Sequence, residues 1–410
     1  MKILYISQYF PPEVGATQNR AYEMSTNLAA LGHQVTMMTE LPNHPSGIIF
    51  KGYRGRYRME EAKDGIRICR SWVFASPKKN FITRILFYIS FMATTIFNSL
   101  IFDRQKYDLI YATSPPLFVG VAGVILSKIR RIPFVFEVRD LWPESAIELG
   151  ELNNPAIIRL AKSLENFCYR YARALIVVTK GIHDRLETRQ VKSQNIFLIR
   201  NATNPEQFYY IRDEDLKDKL GWNGKFIVLY AGIHGIAQGL ENIIDVAAML
   251  RHNEAIHFVF IGEGPEKKAV QIYAAKHNLQ NTEFLPEIKM SQISKYISLA
   301  DLCLVPLKKK DLFKGALPSK IFDYWACGKP IVISVDGEAR QEVETAQGGI
   351  FVEPENPDAM ADAIKFLYHN PHEAKRMGDN GRDHIHHTEC TRSEAAKKIS
   401  LILERCCDVV

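Results

Sequence analysis

Short apolar runs alternate with helix-length amphipathic stretches almost from the first residue of this 410-residue chain. That alternation leaves room for little but parallel sheets with helical crossovers. Ile3, Leu4, Tyr5 and Ile6 form the first run. An amphipathic helix follows from about Thr17, with Ala21, Met24, Leu28 and Leu31 along one stripe and Gly32 to end it before a strand at 34–39. Further strand-like runs fall at 108–112, 134–138 and 175–178. Only 57–70 departs from the pattern, where Asp64-Gly65 between two strand-like runs predicts a hairpin. The alternation pauses over a polar stretch with Pro205 and mixed charge from Arg212 to Lys219, then resumes at 226–230, 256–261, 302–305 and 330–334. The expected fold class is α/β, with two Rossmann-like doubly wound domains at 1–200 and 225–390. A linker at 201–224 joins them, and a C-terminal helix at 391–410 is expected to pack back toward the first domain. Ligands of such sheets bind beyond the carboxyl ends of the strands, so the expected site is a central cleft that the two domains face.

Composition narrows the class. Apolar residues at 47% and charged residues at 24% are those of a globular chain and exclude disordered or collagen-like architectures. Seven cysteines without a CxxC spacing, and no secretory pattern at the N-terminus, predict free thiols and a cytoplasmic protein. Residues 1–200 hold 27 Lys+Arg against 16 Asp+Glu, a net +11, whereas residues 201–410 hold 25 against 30, a net −5. A basic first half points to an anionic partner: nucleic acid, an acidic membrane surface or a phosphorylated substrate. Nucleic acid fits worst, because the basic residues are dispersed and no recognition motif is present.

Residues 85–102 contain no charge, with Lys78, Lys79 and Arg84 before them and Asp103, Arg104 and Lys106 after. Eighteen such residues could cross a bilayer. The stretch lies inside the first βαβ series, however, and a span would put the next strand on the far side of the membrane from its sheet. The expectation is a monotopic helix at about 81–102 docked on an anionic leaflet; the alternative is a helix buried on both faces.

Two loops carry chemistry. The loop after the first strand, residues 7–16, has one glycine, Gly15, rather than GxGxxG, which argues against a dinucleotide-binding dehydrogenase. Gly15 at a helix N-terminus lets the backbone approach one phosphate or a sugar; a simple turn is the plain alternative. Residues 315–330 place Leu317, Pro318 and Ser319 at a helix start, with Lys320 and Asp323 in its first turns. Amides and Lys320 suit a diphosphate, and a carboxylate one turn on suits ribose hydroxyls. A solvated helix beginning is the plain alternative. Asp140, at the carboxyl end of strand 134–138 with Glu144 on the same loop, is the candidate contact for a sugar or acceptor hydroxyl; otherwise it caps the loop while Trp142 and Pro143 pack. No metal site is expected: Asp213-Glu214-Asp215 lies in the charged linker, and 383–387 reads as a solvated helix end.

Several passages, in order, resemble the family-4 retaining glycosyltransferases of the GT-B fold. They are the Gly15 loop with the helix ending at 28–35, Val138-Arg139-Asp140, Ile199-Arg200-Asn201, Tyr230-Ala231-Gly232, Ile261-Gly262-Glu263-Gly264-Pro265, Ala300-Asp301, and the PSK helix with Gly328-Lys329-Pro330. The wording of 317–320, 140–144 and 235–241 is most similar to the bacterial branch that adds amino sugars, often N-acetylfucosamine, to O-antigen or capsule units. The resemblance implies a retaining, metal-independent transfer of an N-acetylamino sugar from a UDP-sugar to a polyprenyl-diphosphate-linked oligosaccharide, with no cofactor. It would take place at the cytoplasmic face of the inner membrane. By this resemblance Asp140, Lys320 and Gly15 would be catalytic. Asp323, Leu317, Pro318, Ser319, Gly262, Gly264, Arg200 and His234 would bind the donor, and Arg139 and Glu144 would touch acceptor or sugar.

There are departures. The family's two donor-site Glu fall on Gly315 and Asp323, and its Arg/Lys pair on Ile233 and Gln238. The replacement grip is expected from Lys320, the amides of 317–319, Gly15 and Arg200. Two other readings compete: a non-catalytic scaffold relative, and a nucleotide-sugar 2-epimerase.

Overall fold

The computed structural model describes residues 1–78, 80–191, 195–388 and 390–408. They form two compact units: Met1–Arg200 with Arg392–Val410, and Asn201–Thr391.

Among the described residues, the sheet of unit 1 has eight strands: β1 (Lys2–Ile6), β2 (Gln34–Glu40), β3 (Arg58–Lys63), β4 (Ile66–Ser71), β5 (Leu109–Thr113), β6 (Phe134–Val138), β7 (Ala174–Val177) and β8 (Ile196–Leu198). Their order is β3-β4-β2-β1-β5-β6-β7-β8, parallel except for the β3/β4 hairpin. Asp64 (φ 51°) and Gly65 (φ 79°) make that hairpin turn, as the sequence predicts. Strands β5, β6 and β7 are buried along their whole length, because helices cover both faces; hence their unbroken apolar spelling. The helix Ala16–Ala30 buries Ala21, Met24 and Leu28. Beside it lies the C-terminal helix Arg392–Cys407, whose Ala396, Ile399 and Leu403 join the same core as Ile3, Tyr5 and Leu109.

The helix Phe81–Ile101 packs on β4 and on the helix Phe118–Arg130. By length and composition it could cross a membrane. It is not buried on both faces: Ile82, Leu86 and Phe97 are exposed.

Unit 2 has six described strands: β9 (Phe226–Ala231), β10 (Ile256–Ile261), β11 (Thr282–Leu285), β12 (Leu302–Pro306), β13 (Ile331–Ser334) and β14 (Gly349–Phe351). All pair in parallel, in the order β11-β10-β9-β12-β13-β14. Residues 201–224 correct the expectation of a linker: they belong to this unit. Phe208 and Trp222 are buried in its core, and Asp213 caps the helix Glu214–Lys219 and pairs with Lys295 at 2.8 Å. Apolar anchors in a polar stretch outweigh its loop-like composition.

Candidate active site

In unit 2 the chain leaves β9 for β10 on one side and returns through β12 on the other, so a crevice opens at the carboxyl end of β9. Glycines let its walls touch. A Cβ on Gly262 would lie 2.0 Å from Gly232 O, and one on Gly264 would lie 2.3 Å from His234 O. Gly232 and Gly262 also hold φ values of 152° and 136°, which side chains rarely adopt. Lys267 Nζ fixes the loop after β10 by donating to Gly262 O at 2.9 Å and Leu285 O at 3.0 Å.

Against this cradle stands the helix Lys320–Ala326. Tyr324 Oη ties it to the end of β9, donating to Ala231 O at 3.0 Å and accepting from Ala231 N at 2.9 Å. Lys320 Nζ rests 4.0 Å from the centroid of the Tyr230 ring. It has no ion-pair partner among the described residues. Burial pushes its ammonium down to about 7, against the pull of the Asp323 carboxylate. Pro318 carries no N–H, so the amides at this end of the helix are those of Ser319 and Lys320.

His234 is fully buried under the loop after β9, and both its ring nitrogens lack hydrogen-bond partners among the described residues. Burial, reinforced by the charges of Lys267 and Lys320, brings its pKa down to about 4, so the ring is neutral at pH 7. Lys320, His234, Gly262 and Gly264 are therefore brought together.

Asp323 and Leu317 reveal residues that sequence reasoning missed. Thr203 Oγ1 donates to Asp323 Oδ1 at 2.9 Å, and Asn201 Nδ2 donates to Leu317 O at 3.1 Å. Asn201-Ala202-Thr203 thus fastens the helix start on which the proposed donor residues sit. Lys308 was missed too. Its N–H donates to Ala237 O at 2.8 Å and its stem packs on Gly239, which places a lysine at the strand end beside the crevice. The run Lys308-Lys309-Lys310 directly after an apolar strand was the available signal.

In unit 1, Gly15 (φ 151°) starts the helix Ala16–Ala30, which has no side-chain cap and no acid in its first turn. Arg139 reaches this helix start, with Nη2 3.5 Å from Ala16 O. Its Nε and Nη1 are buried without hydrogen-bond partners among the described residues, and burial, with repulsion from Arg20, brings the guanidinium down to about 10. The nearby Glu137 is already engaged, with Oε1 2.6 Å from Arg20 and Oε2 2.6 Å from Thr113. Burial would raise the Glu137 carboxyl, but the charge and hydrogen bond of Arg20, the charge of Arg139 and the Thr113 hydrogen bond together outweigh it and hold it at about 2. Asp140 Oδ2 accepts from Ser145 Oγ at 2.8 Å, and burial raises its pKa. Glu144 is engaged in ion pairs with Arg185 at 3.0 Å and Arg189 at 3.3 Å. Arg200 is exposed just beyond β8, at the end of the first segment of unit 1.

Two buried carboxylates close the same end of β1 and β2. Glu13 Oε1 accepts from Asn43 N and His44 N, both at 2.7 Å, and Glu40 accepts from Gln8 Nε2 at 2.8 Å and Asn43 Nδ2 at 2.7 Å. Burial raises Glu13 to about 7 and Glu40 well above the carboxylate range.

Comparison with known proteins settles what this arrangement belongs to. Residues 15–202 match the glycosyl transferase 4-like domain, and residues 212–384 match the glycosyl transferases group 1 domain. A protein named as a colanic acid biosynthesis glycosyl transferase, WcaI of Escherichia coli, is 27% identical over 89% of this chain and 91% of its own length. The sucrose-phosphate synthase of Thermosynechococcus elongatus superposes with a TM-score of 0.76 at 20% identity, covering 98% of each chain. The chain is a glycosyltransferase of the GT-B fold.

HepE of Anabaena, solved in complex with UDP and glucose, gives a TM-score of 0.74 at 17% identity over 98% of this chain and 99% of that one. In this glycosyltransferase the side chain of Ile233 is 54% exposed, so an apolar group faces solvent where the resemblance would have placed an Arg. The cations beside the unit 2 crevice include Lys320, Lys308 and Lys267, the last engaged with Gly262 O and Leu285 O. At 383–387 the expectation of a solvated helix end needs one correction: His384 Nε2 lies 2.7 Å from Glu342 Oε1 and its ring stands edge-on to Trp325.

Proposed function

We propose that the protein is a retaining, metal-independent glycosyltransferase. It moves an N-acetylamino sugar from a UDP-sugar to a lipid-linked oligosaccharide in the assembly of a surface polysaccharide at the cytoplasmic face of the inner membrane. The observation that carries this reading is the Lys320 ammonium over the Tyr230 ring, held against Gly232 with no carboxylate bonded to it among the described residues. A desolvated cation beside close-packed glycine loops suits a diphosphate. In this reading Lys320 and the amides of Ser319 and Lys320 hold the diphosphate, Asp323 the ribose hydroxyls, and Gly15, Arg139 and Asp140 the sugar and acceptor.

The acceptor hydroxyl oxygen bonds to the anomeric carbon on the face that the leaving group vacates. The bond from that carbon to the diphosphate oxygen breaks, and the hydroxyl proton passes to that phosphate oxygen, so no protein base takes part. Donors fixed around the diphosphate interact more strongly as its charge grows, which lowers the barrier rather than only the ground state. Charge stabilisation by this route calls on no metal. HepE with UDP and glucose supports the UDP-linked donor, and the name of WcaI supports the polysaccharide setting.

The test begins with thermal stabilisation by a panel of sugar nucleotides, UDP-N-acetylfucosamine among them. The nucleotides that stabilise are then offered with polyprenyl-diphosphate acceptors in the presence of a chelator. Labelled sugar entering the lipid extract, with one UDP released per sugar, is the expected result. Sugar nucleotide altered without acceptor would instead mark an epimerase, and binding without release under every acceptor a non-catalytic relative.

A further inference from the structure

The helix Phe81–Ile101 is built inside out. Of its five fully buried residues four are polar, Thr94, Thr95, Asn98 and Ser99; the fifth is Phe91. Thr94 Oγ1 donates to Trp72 O at 2.7 Å and Asn98 Nδ2 donates to Ser71 Oγ at 2.8 Å, which locks the polar side onto β4 and the segment after it. The outer side is apolar. Ile82, Leu86, Ile89, Phe97 and Leu100 recur at helical spacing and all are exposed, Ile82 by 69% and Phe97 by 47%. A helix meant to face water carries the opposite distribution.

Charge frames this stripe. Lys78 is exposed at one end, Arg104 and Lys106 at the other. Asp103, the acid among them, is buried and paired with Arg67 at 2.8 Å, so it does not offset the exposed cations. A second copy of the chain laid on this face would bring a like-charged rim against this one. An anionic surface with an apolar interior complements both features at once.

We infer that this face docks on an anionic lipid bilayer. The helix, about 30 Å long at 1.5 Å per residue, lies in the plane of the interface with its outer stripe in the acyl boundary. Lys78, Arg104 and Lys106 meet the headgroup phosphates. The inference stands apart from the transfer reaction, and its test needs no turnover.

The full-length protein is mixed with phosphatidylcholine vesicles, with or without phosphatidylglycerol, and floated on a density gradient. The expected result is flotation with the phosphatidylglycerol vesicles, weakened by salt, and reduced at least tenfold in Leu86→Ser/Phe97→Ser. Arg104→Glu/Lys106→Glu is expected to lose the preference for phosphatidylglycerol. Unchanged circular dichroism and melting temperature establish that each variant is folded, and Ile82→Ser/Ile101→Ser, at more exposed positions, serves if the first pair is not. The inference is overturned if the parent stays unbound to both vesicles or if the folded serine variants float like their parent. It is equally overturned if light scattering shows a dimer that these variants dissociate while vesicle binding is absent.

Discussion

A Cβ added to Gly232 would sit 2.6 Å from Lys320 Nζ. The ammonium therefore occupies the space a side chain would need, and the backbone there, at φ 152°, is one that alanine adopts only under strain of roughly 1–3 kcal/mol. Gly232→Ala is expected to displace Lys320 and weaken UDP binding about tenfold, equivalent to about 1.4 kcal/mol. Titration calorimetry checks this; unchanged affinity would separate Gly232 from the diphosphate site.

Lys320, held at about 7 by burial, is largely neutral above that pH until an anion arrives. A bound diphosphate favours the charged form and raises the pKa, so at a pH of about 8 binding should take up a proton. Calorimetry in two buffers of different ionisation enthalpy reads the uptake, and Lys320→Gln should abolish it. Lys320→Ala should lower turnover by about a hundredfold or more.

Thr203 positions Asp323 through a single hydrogen bond of 2.9 Å. Thr203→Val removes a contribution of about 1 kcal/mol and should raise the KM for the sugar nucleotide several-fold with little change in kcat. Asp323→Ala, which deletes the carboxylate itself, should weaken UDP far more than the base-free diphosphate. Equal losses for the two ligands would take Asp323 away from the ribose.

Glu13 gives a stability signature. Burial raises its folded pKa from the ordinary 4.5 of a glutamate to about 7. Between those values the folded chain keeps a proton that the unfolded chain has released, so stability must fall as pH rises from 4.5 toward 7. Glu13→Gln should flatten that slope in urea denaturation measured across the range.

The central strands were legible because both faces of each are covered, which forces continuous apolar spelling. The edge strands β8, β11 and β14 were not, since three or four half-exposed residues such as Thr282-Glu283-Phe284-Leu285 carry no such constraint. Lys320 and Asp323 could be found because a helix start, a cation and a carboxylate lie within one short stretch. Their fastener Thr203 could not, being 120 residues away and marked by nothing local. The apolar excess of residues 85–102 was visible, but its direction was not: that Thr94 and Asn98 turn inward follows from acceptors on β4 and the segment after it, not from the helix's own pattern. The segment 201–224 misled because loop composition says nothing about where Phe208 and Trp222 insert.

The C-terminal helix, packed beside the helix Ala16–Ala30, has a consequence for biosynthesis. Unit 2 is one uninterrupted stretch, Asn201–Thr391, and can complete its core as soon as that stretch has left the ribosome. Unit 1, although begun before unit 2, lacks Ala396, Ile399 and Leu403 until the stretch after Thr391 has been made, so its core closes only after that of unit 2 can.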